Sequence, residues 1–218
     1  MQKQDMTVFS PNMLKMFQTC PAKFYYRYIE QIPAPFLDKN FIFGKNIHAM
    51  ASYYLKGEDI AVFEKSLSPK ELKIWNELKS NEFLSYEIIG VEKNVLSKLG
   101  EYWLGGRIDA IVKKENDYYI LDYKTGGVKD DMIYAPQTMV YLIVCDSMIQ
   151  EYETLSFVYI DLKNNKEDII RFTQELKEEY SKRLLKLCGE ITEFDISKYK
   201  TDMICKCEYE AICTSYQN

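Results

Sequence analysis

Two apolar segments in the middle of the chain each carry an acidic residue. Asp109 lies in GGRIDAIV (105–112), and Asp122 and Lys124 lie in YYILDYKTG (118–126). An unpaired carboxylate in an apolar interior is strongly unfavourable. Two such carboxylates therefore require a compensating cation.

The spacing of these residues suggests the cation. Residues two apart on a β-strand point to the same face, so Asp122 and Lys124 would project together. If the segments form a hairpin over the KKEND turn, Asp109 comes alongside Asp122. Two Asp oxygens and a main-chain carbonyl are suitable ligands for Mg²⁺, which also accepts phosphate oxygens. Lys124 would then orient an attacking water, stabilise charge on the phosphorane or act as a base. The alternative is a buried salt bridge.

The cysteines form a second candidate metal site. The N-terminus has no apolar core of signal-peptide length, so we expect a cytoplasmic protein with reduced thiols. Cys205, Cys207 and Cys213 cluster in MICKCEYEAIC. With one further cysteine from elsewhere in the chain, they would supply the four thiolates that suit zinc or a 4Fe-4S cluster. Cys145 and Cys188 lie in helical apolar patterns, which predicts that they are buried.

Helical signals fill the first third of the chain. Ser10 followed by Pro11 predicts a helix start, and Pro21 should divide this stretch at Cys20. A loop over 31–40 and a helix over 41–55 follow. Ser68 begins a capping box before a further helix.

The rest of the chain predicts strands and further helices. The segments 86–96, 102–112 and 118–124 are rich in β-branched and aromatic residues and predict three antiparallel strands. A helix, a strand and a helix are predicted over 136–145, 155–162 and 174–191. This order indicates an α/β (α+β) fold with a mixed central sheet.

Composition sets limits on function. The 218 residues are enough for one domain, and the net charge of -5 excludes a protein that coats nucleic acid through bulk positive charge. No apolar stretch is long enough to span a membrane. The sequence contains no phosphate-binding GxxxxGK[ST] loop, so we expect no NTP-driven motor within this chain.

Six motifs occur in a characteristic order along nearly the whole chain. They are Cys20 in CPAKFYY, Gly44 to His48, Gly106 to Asp109, Asp122 to Gly126, Gln137 to Tyr141, and the tail from Cys205. In these motifs the chain resembles the PD-(D/E)xK nuclease superfamily, in particular RecB-like and CRISPR-associated spacer-acquisition exonucleases. One departure is that only Lys206 separates Cys205 from Cys207, where the family commonly has two residues.

The resemblance implies a restriction-endonuclease-like core, with a mixed central sheet flanked by helices. It implies one domain over 1–218, with a helical region over 1–80 and a catalytic core over 85–192. The Cys-containing tail over 200–218 would close on the N-terminal helix.

The resemblance also assigns roles to residues. A catalytic Mg²⁺ or Mn²⁺ ion would be held by His48, Asp109, Asp122 and the main-chain carbonyl of Tyr123, and Lys124 would serve the water. Gln137 and Tyr141 would contact DNA or support the catalytic residues, and Arg107 could meet phosphates. A 4Fe-4S cluster would be held by Cys20, Cys205, Cys207 and Cys213. Glu92 is expected to be an exposed strand residue rather than a further metal ligand.

Three functions compete at this level. The leading hypothesis is a metal-dependent deoxyribonuclease, in the form of an exonuclease on single strands or duplex ends, working in DNA repair, recombination or CRISPR spacer acquisition with proteins of those systems. The second is a catalytically silent DNA-binding or scaffold subunit. The third is a redox protein centred on the cysteines, which leaves the strand carboxylates unexplained.

Overall fold

The computed structural model of the protein describes residues 8–33, 39–129, 131–200 and 207–213, with the backbone alone for 39–42. Helix α1 (Pro11–Thr19) begins where the Ser10 hydroxyl accepts a hydrogen bond from the amide of Met13 at 3.3 Å. Helix α2 (Pro21–Phe24) follows Cys20 and continues as a π-helical turn over Tyr25–Ile29. The predicted helix start and the division at Cys20 are both confirmed.

Three more helices precede the sheet. Helix α3 (Lys39–Leu55) starts inside the loop predicted over 31–40, whose residues 34–38 lie outside the described ranges. Helix α5 (Pro69–Lys79) carries the predicted capping box between Ser68 and Glu71. Helix α4 (Ala61–Ser66) was not predicted, because it buries no side chain and has no side-chain cap.

One mixed sheet forms the centre of the described residues. Its strands, in spatial order, are β1 (Glu87–Leu99), β2 (Tyr102–Lys114), β3 (Asp117–Lys124), β4 (Thr154–Asp161) and β5 (Lys166–Arg171). Neighbours are antiparallel except β3 and β4, which are parallel and connected through helix α6 (Pro136–Met148). The predicted mixed sheet flanked by helices is confirmed. Strand β5 was missed because it is a charged edge strand with one buried residue, Ile170.

The sheet is covered on both faces. Helices α1, α6 and α7 (Gln174–Glu193) contribute to one core, where Leu14, Val140 and Leu187 pack on the sheet. Helices α3 and α5 contribute Ile47 and Trp75 to a second core on the other face. The inner strands β3 and β4 are therefore mostly apolar and buried. No helix in the described ranges is both long enough and apolar enough to cross a bilayer.

The β1–β2 hairpin extends well beyond the rest of the sheet. These strands pair from Glu87 with Lys113 to Leu99 with Tyr102, whereas β2 pairs with β3 only over 110–114. Along the extension, Phe9 fills the free edge of β2 by donating its amide to the Trp103 carbonyl at 2.8 Å. The site residues lie where β2 leaves β3.

Candidate active site

The separation of β2 from β3 creates the opening in which the two predicted carboxylates lie. The last register pair between these strands is Ala110 with Leu121, so Asp109 and Asp122 are the next residues on each strand. An Asp109 carboxylate oxygen accepts a long hydrogen bond, 3.4 Å, from the main-chain amide of Tyr123. The hairpin over residues 113–117 therefore brings Asp109 to the start of the D-x-K segment.

Helix α3 brings the only histidine of the chain to the same opening. Nδ1 of His48 lies 3.1 Å from Oδ1 of Asp109, and Nε2 lies 2.9 Å from the carbonyl oxygen of Tyr123. Gly44, one turn earlier, allows the approach, since a Cβ atom there would stand 3.1 Å from Oγ1 of Thr125. Burial by itself lowers the pKa of His48, but the hydrogen bond to Asp109 and the charges of both carboxylates outweigh it and raise that pKa overall.

Asp122 is buried among polar partners. Its Oδ1 accepts a short hydrogen bond from the side-chain amide of Gln137, and its Oδ2 lies 2.7 Å from Nζ of Lys124. Burial raises the pKa of Asp122, and the adjacent ammonium only partly offsets this effect. The Oδ2 contact is an ion pair, and within the described residues no donor other than Lys124 reaches this buried atom.

Lys124 connects the site to solvent. Its ammonium donates a hydrogen bond of 3.0 Å to Oε1 of Gln137 and lies 5.6 Å from the ring centre of Tyr159. The side chain is 29% exposed, against 5% for Asp122. A phosphate approaching from solvent would therefore meet Lys124 before the deeper carboxylate.

These residues fit a divalent cation in their chemistry. Carboxylate and carbonyl oxygens with one imidazole suit Mg²⁺ or Mn²⁺. In the described part of the chain, Oδ2 of Asp122 is held only by its ion pair with Lys124, which an ion would replace. Within the described ranges, no three His, Cys, Asp or Glu side chains are already arranged around a metal position. The described contacts account for this, since His48 engages Asp109 while Gln137 and Lys124 engage Asp122.

Gln137 and Tyr141 share a face of α6 but contact different parts of the site. Gln137 reaches Asp122 and Lys124, whereas the Tyr141 hydroxyl donates a 2.8 Å hydrogen bond to the carbonyl of Arg107. The Tyr141 ring is 6% exposed and is stacked on Phe157. In this structure Tyr141 supports the backbone of β2 just before Asp109, and DNA contact by either residue stays a prediction.

Arg107 and Glu92 form an ion pair at the rim. The Arg107 side chain is 67% exposed, and its Nε lies 2.7 Å from a Glu92 carboxylate oxygen. Glu92 is only 23% exposed, which differs from the exposed strand residue that was expected. The register pairs on either side place it across from Asp109, where its backbone takes a left-handed φ of 50°.

Asp161 is a structural support that the sequence analysis missed. This fully buried residue ends β4, next to Lys124 in the register. Its carboxylate accepts hydrogen bonds from the amides of Val128, Lys163 and Asn164 and from the Asn164 side chain, at 2.7–3.1 Å. Burial raises its pKa, but these donors outweigh burial and lower the pKa overall. An aspartate closing a strand before the turn-forming KNN segment was the available signal.

Three of the four predicted cluster cysteines border one small core, but within the described residues they are not arranged around a common metal position. Cys20, Cys207 and Cys213 all pack against a small core of Ala22, Tyr26 and Tyr209. Cys205 lies outside the described residues. The tail is attached by hydrogen bonds from Tyr26 to the carbonyl of Ile212 at 3.1 Å and from Tyr209 to the carbonyl of Ile32 at 2.8 Å. The other two cysteines, Cys145 and Cys188, are buried as predicted.

Comparison with known proteins agrees with the fold. A mixed five-stranded sheet flanked by helices is the arrangement of the restriction-endonuclease-like class. The sequence profile of the PD-(D/E)XK nuclease superfamily matches residues 8–214, and the chain therefore belongs to that superfamily.

Solved structures share the fold at low sequence identity. The crystal structure named "Putative exonuclease", from Eubacterium rectale, has a TM-score of 0.55 and 10% identity, covering 88% of this chain and 86% of that one. The protein named SSO0001 has a TM-score of 0.53 and 18% identity, covering 100% and 90%. No curated protein sequence matches the chain.

Proposed function

We propose that this protein is a divalent-metal-dependent deoxyribonuclease that hydrolyses phosphodiester bonds. The observation that carries the proposal is the convergence of Asp109, Asp122 and Lys124 where β2 leaves β3, with His48 bridging Asp109 and the Tyr123 carbonyl. Membership of a nuclease superfamily supports the same reaction.

The metal ion, Mg²⁺ or Mn²⁺, would be held by Asp109, Asp122, His48 and the carbonyl oxygen of Tyr123. When bound, it would supply positive charge that favours attack by water on the phosphorus and stabilises the departing oxygen. The strand backbone fixes the Tyr123 carbonyl, and helix α3 fixes His48. To hold the ion, His48 would exchange one of its present hydrogen bonds, to Asp109 or to the Tyr123 carbonyl, for the metal.

Lys124 would act on the phosphate and the water. Its ammonium is held between Oδ2 of Asp122 at 2.7 Å and Oε1 of Gln137 at 3.0 Å, with enough exposure to reach a substrate. From this position it can orient the attacking water and donate to the charge that develops on the phosphoryl oxygens. Gln137 would be a positioning residue that holds the carboxylate and the ammonium in register.

We further propose the exonuclease mode, acting on single strands or duplex ends. The Eubacterium rectale structure is named for that activity, which supports this choice over an endonuclease. Participation in repair, recombination or CRISPR spacer acquisition, with proteins of those systems, is proposed from the motif order.

We propose that the cysteines form a 4Fe-4S staple between the N-terminal helices and the tail. The donor chemistry fits, since Cys20, Cys207 and Cys213 border one small core that joins both ends of the described chain. An anaerobic preparation should contain iron and absorb in the visible thiolate-to-iron region, and Cys20→Ser should lose both while Cys188→Ser keeps them. Absence of iron, or zinc in its place, would reject the cluster.

The decisive experiment for the nuclease uses end-labelled single-stranded and duplex DNA with Mg²⁺ and Mn²⁺. Asp109→Asn, Asp122→Asn and Lys124→Met should each abolish cleavage while circular dichroism shows a folded protein. The matched controls are Asp168→Asn and Lys166→Met, which have the same two-residue spacing on the edge strand β5 and should cleave normally. Full cleavage by any site variant would reject the assignment. DNA binding without cleavage by the wild type would favour the scaffold role.

A further inference from the structure

The extended part of the β1–β2 hairpin has one packed face and one face that the described residues leave open. Val95, Leu104 and Ile108 point into the core formed with α1 and α6. The alternate residues on the other face are exposed side chains surrounding Gly105, namely Asn94, Leu96, Lys98, Trp103 and Arg107.

This open face leads directly to the active site. Trp103, Gly105, Arg107 and Asp109 alternate along β2 and therefore share a face of the strand. Helix α3 covers that face at Asp109 through His48. Farther out, Val8 borders the face at Gly105, where an added Cβ atom would stand 3.2 Å from Cγ1 of Val8 and 3.0 Å from Cδ1 of Leu96. Trp103 lies about 20 Å from Asp109 along the strand, at roughly 3.3 Å per residue.

The side chains on this face suit single-stranded nucleic acid. Trp103 is 44% exposed, and Lys98 lies directly opposite it in the register. An exposed flat ring beside a cation provides base stacking and a phosphate contact. Glu92, the acidic residue that the structure places at the inner end of this face, is paired with Arg107.

A protein partner is less well matched to the same face. The exposed apolar side chains are Leu96 and Trp103, with Val8 at the border, and a charged or polar residue adjoins each of the first two. The net charge of -5 also requires that any nucleic-acid contact be local. This face supplies Arg107, paired with Glu92, near the site and Lys98 farther out beside Trp103.

We propose that the open face of the β1–β2 hairpin is a track for the DNA strand that passes through the active site, with Trp103 stacking on a base. Lys98 contacts the phosphates beside it, and the track is sequence-tolerant because every base offers a flat face. This inference rests on the proposed function and extends it by naming the surface that holds the strand away from the cleaved bond.

Intrinsic fluorescence can test the track in the full-length protein. The chain has two tryptophans, and Trp75 is fully buried, so a bound base can stack on the indole of Trp103 alone. Titration with oligo(dT) in EDTA, where the DNA stays intact, should quench part of the emission. Trp103→Phe should lose the quenching but bind nearly as well as the wild type, because it keeps an aromatic face.

Affinity for fluorescein-labelled oligo(dT) provides the second measurement. Trp103→Ala should raise Kd by about 5-fold to 150-fold, the range expected for one stacked base. Lys98→Ala should lower the slope of log affinity against log salt by about 0.7. The matched control is Ile169→Ala, which removes a side chain that is 53% exposed on the edge strand β5 and should not change Kd.

The outcomes separate this inference from the function on which it rests. If the wild type binds and cleaves oligo(dT) and Trp103→Ala binds equally well, the track is wrong and the nuclease stands. If the wild type neither binds nor cleaves any DNA, the proposed function fails and the track fails with it. A dimer in sedimentation that Trp103→Ala dissociates, with unchanged Kd for DNA, would instead show that a second copy covers this face and would overturn the track.

Discussion

Nζ of Lys124 donates a hydrogen bond of 3.0 Å to the side-chain oxygen of Gln137, a residue on the helix that crosses from β3 to β4. The amide nitrogen of the same Gln137 side chain donates to Asp122. One uncharged side chain therefore positions both the ammonium and the buried carboxylate. This bridge fixes the spacing of the two groups more tightly than their two-residue separation on the strand alone.

Gln137→Leu should lower kcat for DNA cleavage by about 10-fold to 100-fold, the usual cost of removing a group that orients a metal ligand. The leucine keeps similar bulk but leaves Asp122 and Lys124 without their bridge. Steady-state cleavage kinetics would measure the effect, with Gln174→Leu on the exposed start of α7 as the control. An unchanged kcat would show that the bridge is not needed.

Mn²⁺ or Mg²⁺ should stabilise the folded protein through the same residues. At ten times Kd, the free energy of unfolding should rise by about 1.4 kcal/mol if the ion binds only the native state. Thermal unfolding with and without the ion would measure this rise. Asp122→Asn should abolish it, and the exposed control Asp59→Asn should retain it. An equal rise in Asp122→Asn would place the ion elsewhere.

Gly106→Ala should destabilise the protein by about 1–3 kcal/mol, the typical cost of overpacking. Its added Cβ would stand 2.8 Å from the hydroxyl oxygen and 3.0 Å from Cε1 of Tyr141, whose ring is held against Phe157. Urea unfolding gives the measurement. The control is Gly126→Ala, where a Cβ atom would meet nothing within 4 Å. Equal stability losses in the two variants would contradict the steric account.

Asp161 should stabilise the folded protein near neutral pH and contribute less as the pH becomes acidic. Its pKa is lowered in the folded state from an ordinary value of 3.8, so the stabilisation is present above that value and is lost as the pH falls through the folded pKa. Asp161→Asn should be destabilised near neutral pH by about 1.5–3 kcal/mol, since the hydrogen bonds to the charged carboxylate are lost.

The difference between wild type and Asp161→Asn should shrink as the pH falls below 3.8. Urea unfolding across the acid range would follow it. Asp195→Asn, at an exposed turn, serves as the control and should change the acid dependence less, because solvent screens its hydrogen bonds. A difference that stays constant across the acid range would contradict the role of the charged carboxylate.

Local signals allowed much of the fold to be predicted. Ser10 and Ser68 marked helix starts because a hydroxyl caps free amides wherever the chain turns into a helix. Strands β1 to β3 followed from their β-branched and aromatic residues. Strand β5 and helix α4 were not predicted, since an exposed edge strand and a short exposed helix bury too little apolar surface to leave a pattern.

Part of the candidate site could also be predicted from the sequence, and part could not. The D-x-K spacing placed Asp122 and Lys124 on one face, and motif order linked them to His48 and Asp109. The burial of Glu92 across from Asp109 was not predicted, because it depends on a left-handed residue within β1 that no pattern reveals. The four donors to Asp161 come from the turn after β4 and from the loop after Lys124, and loop contacts of this kind leave no periodic signal.

By itself, the sequence determined the type of each element and the chemical kind of site, because propensity, capping and residue spacing act over a few neighbouring positions. Only the tertiary structure decided which groups meet: Gln137 with both Asp122 and Lys124, Tyr141 with the carbonyl of Arg107, and Glu92 with the Arg107 side chain. These contacts join residues distant in sequence, and a one-residue change in strand register would reverse which side chains point toward them.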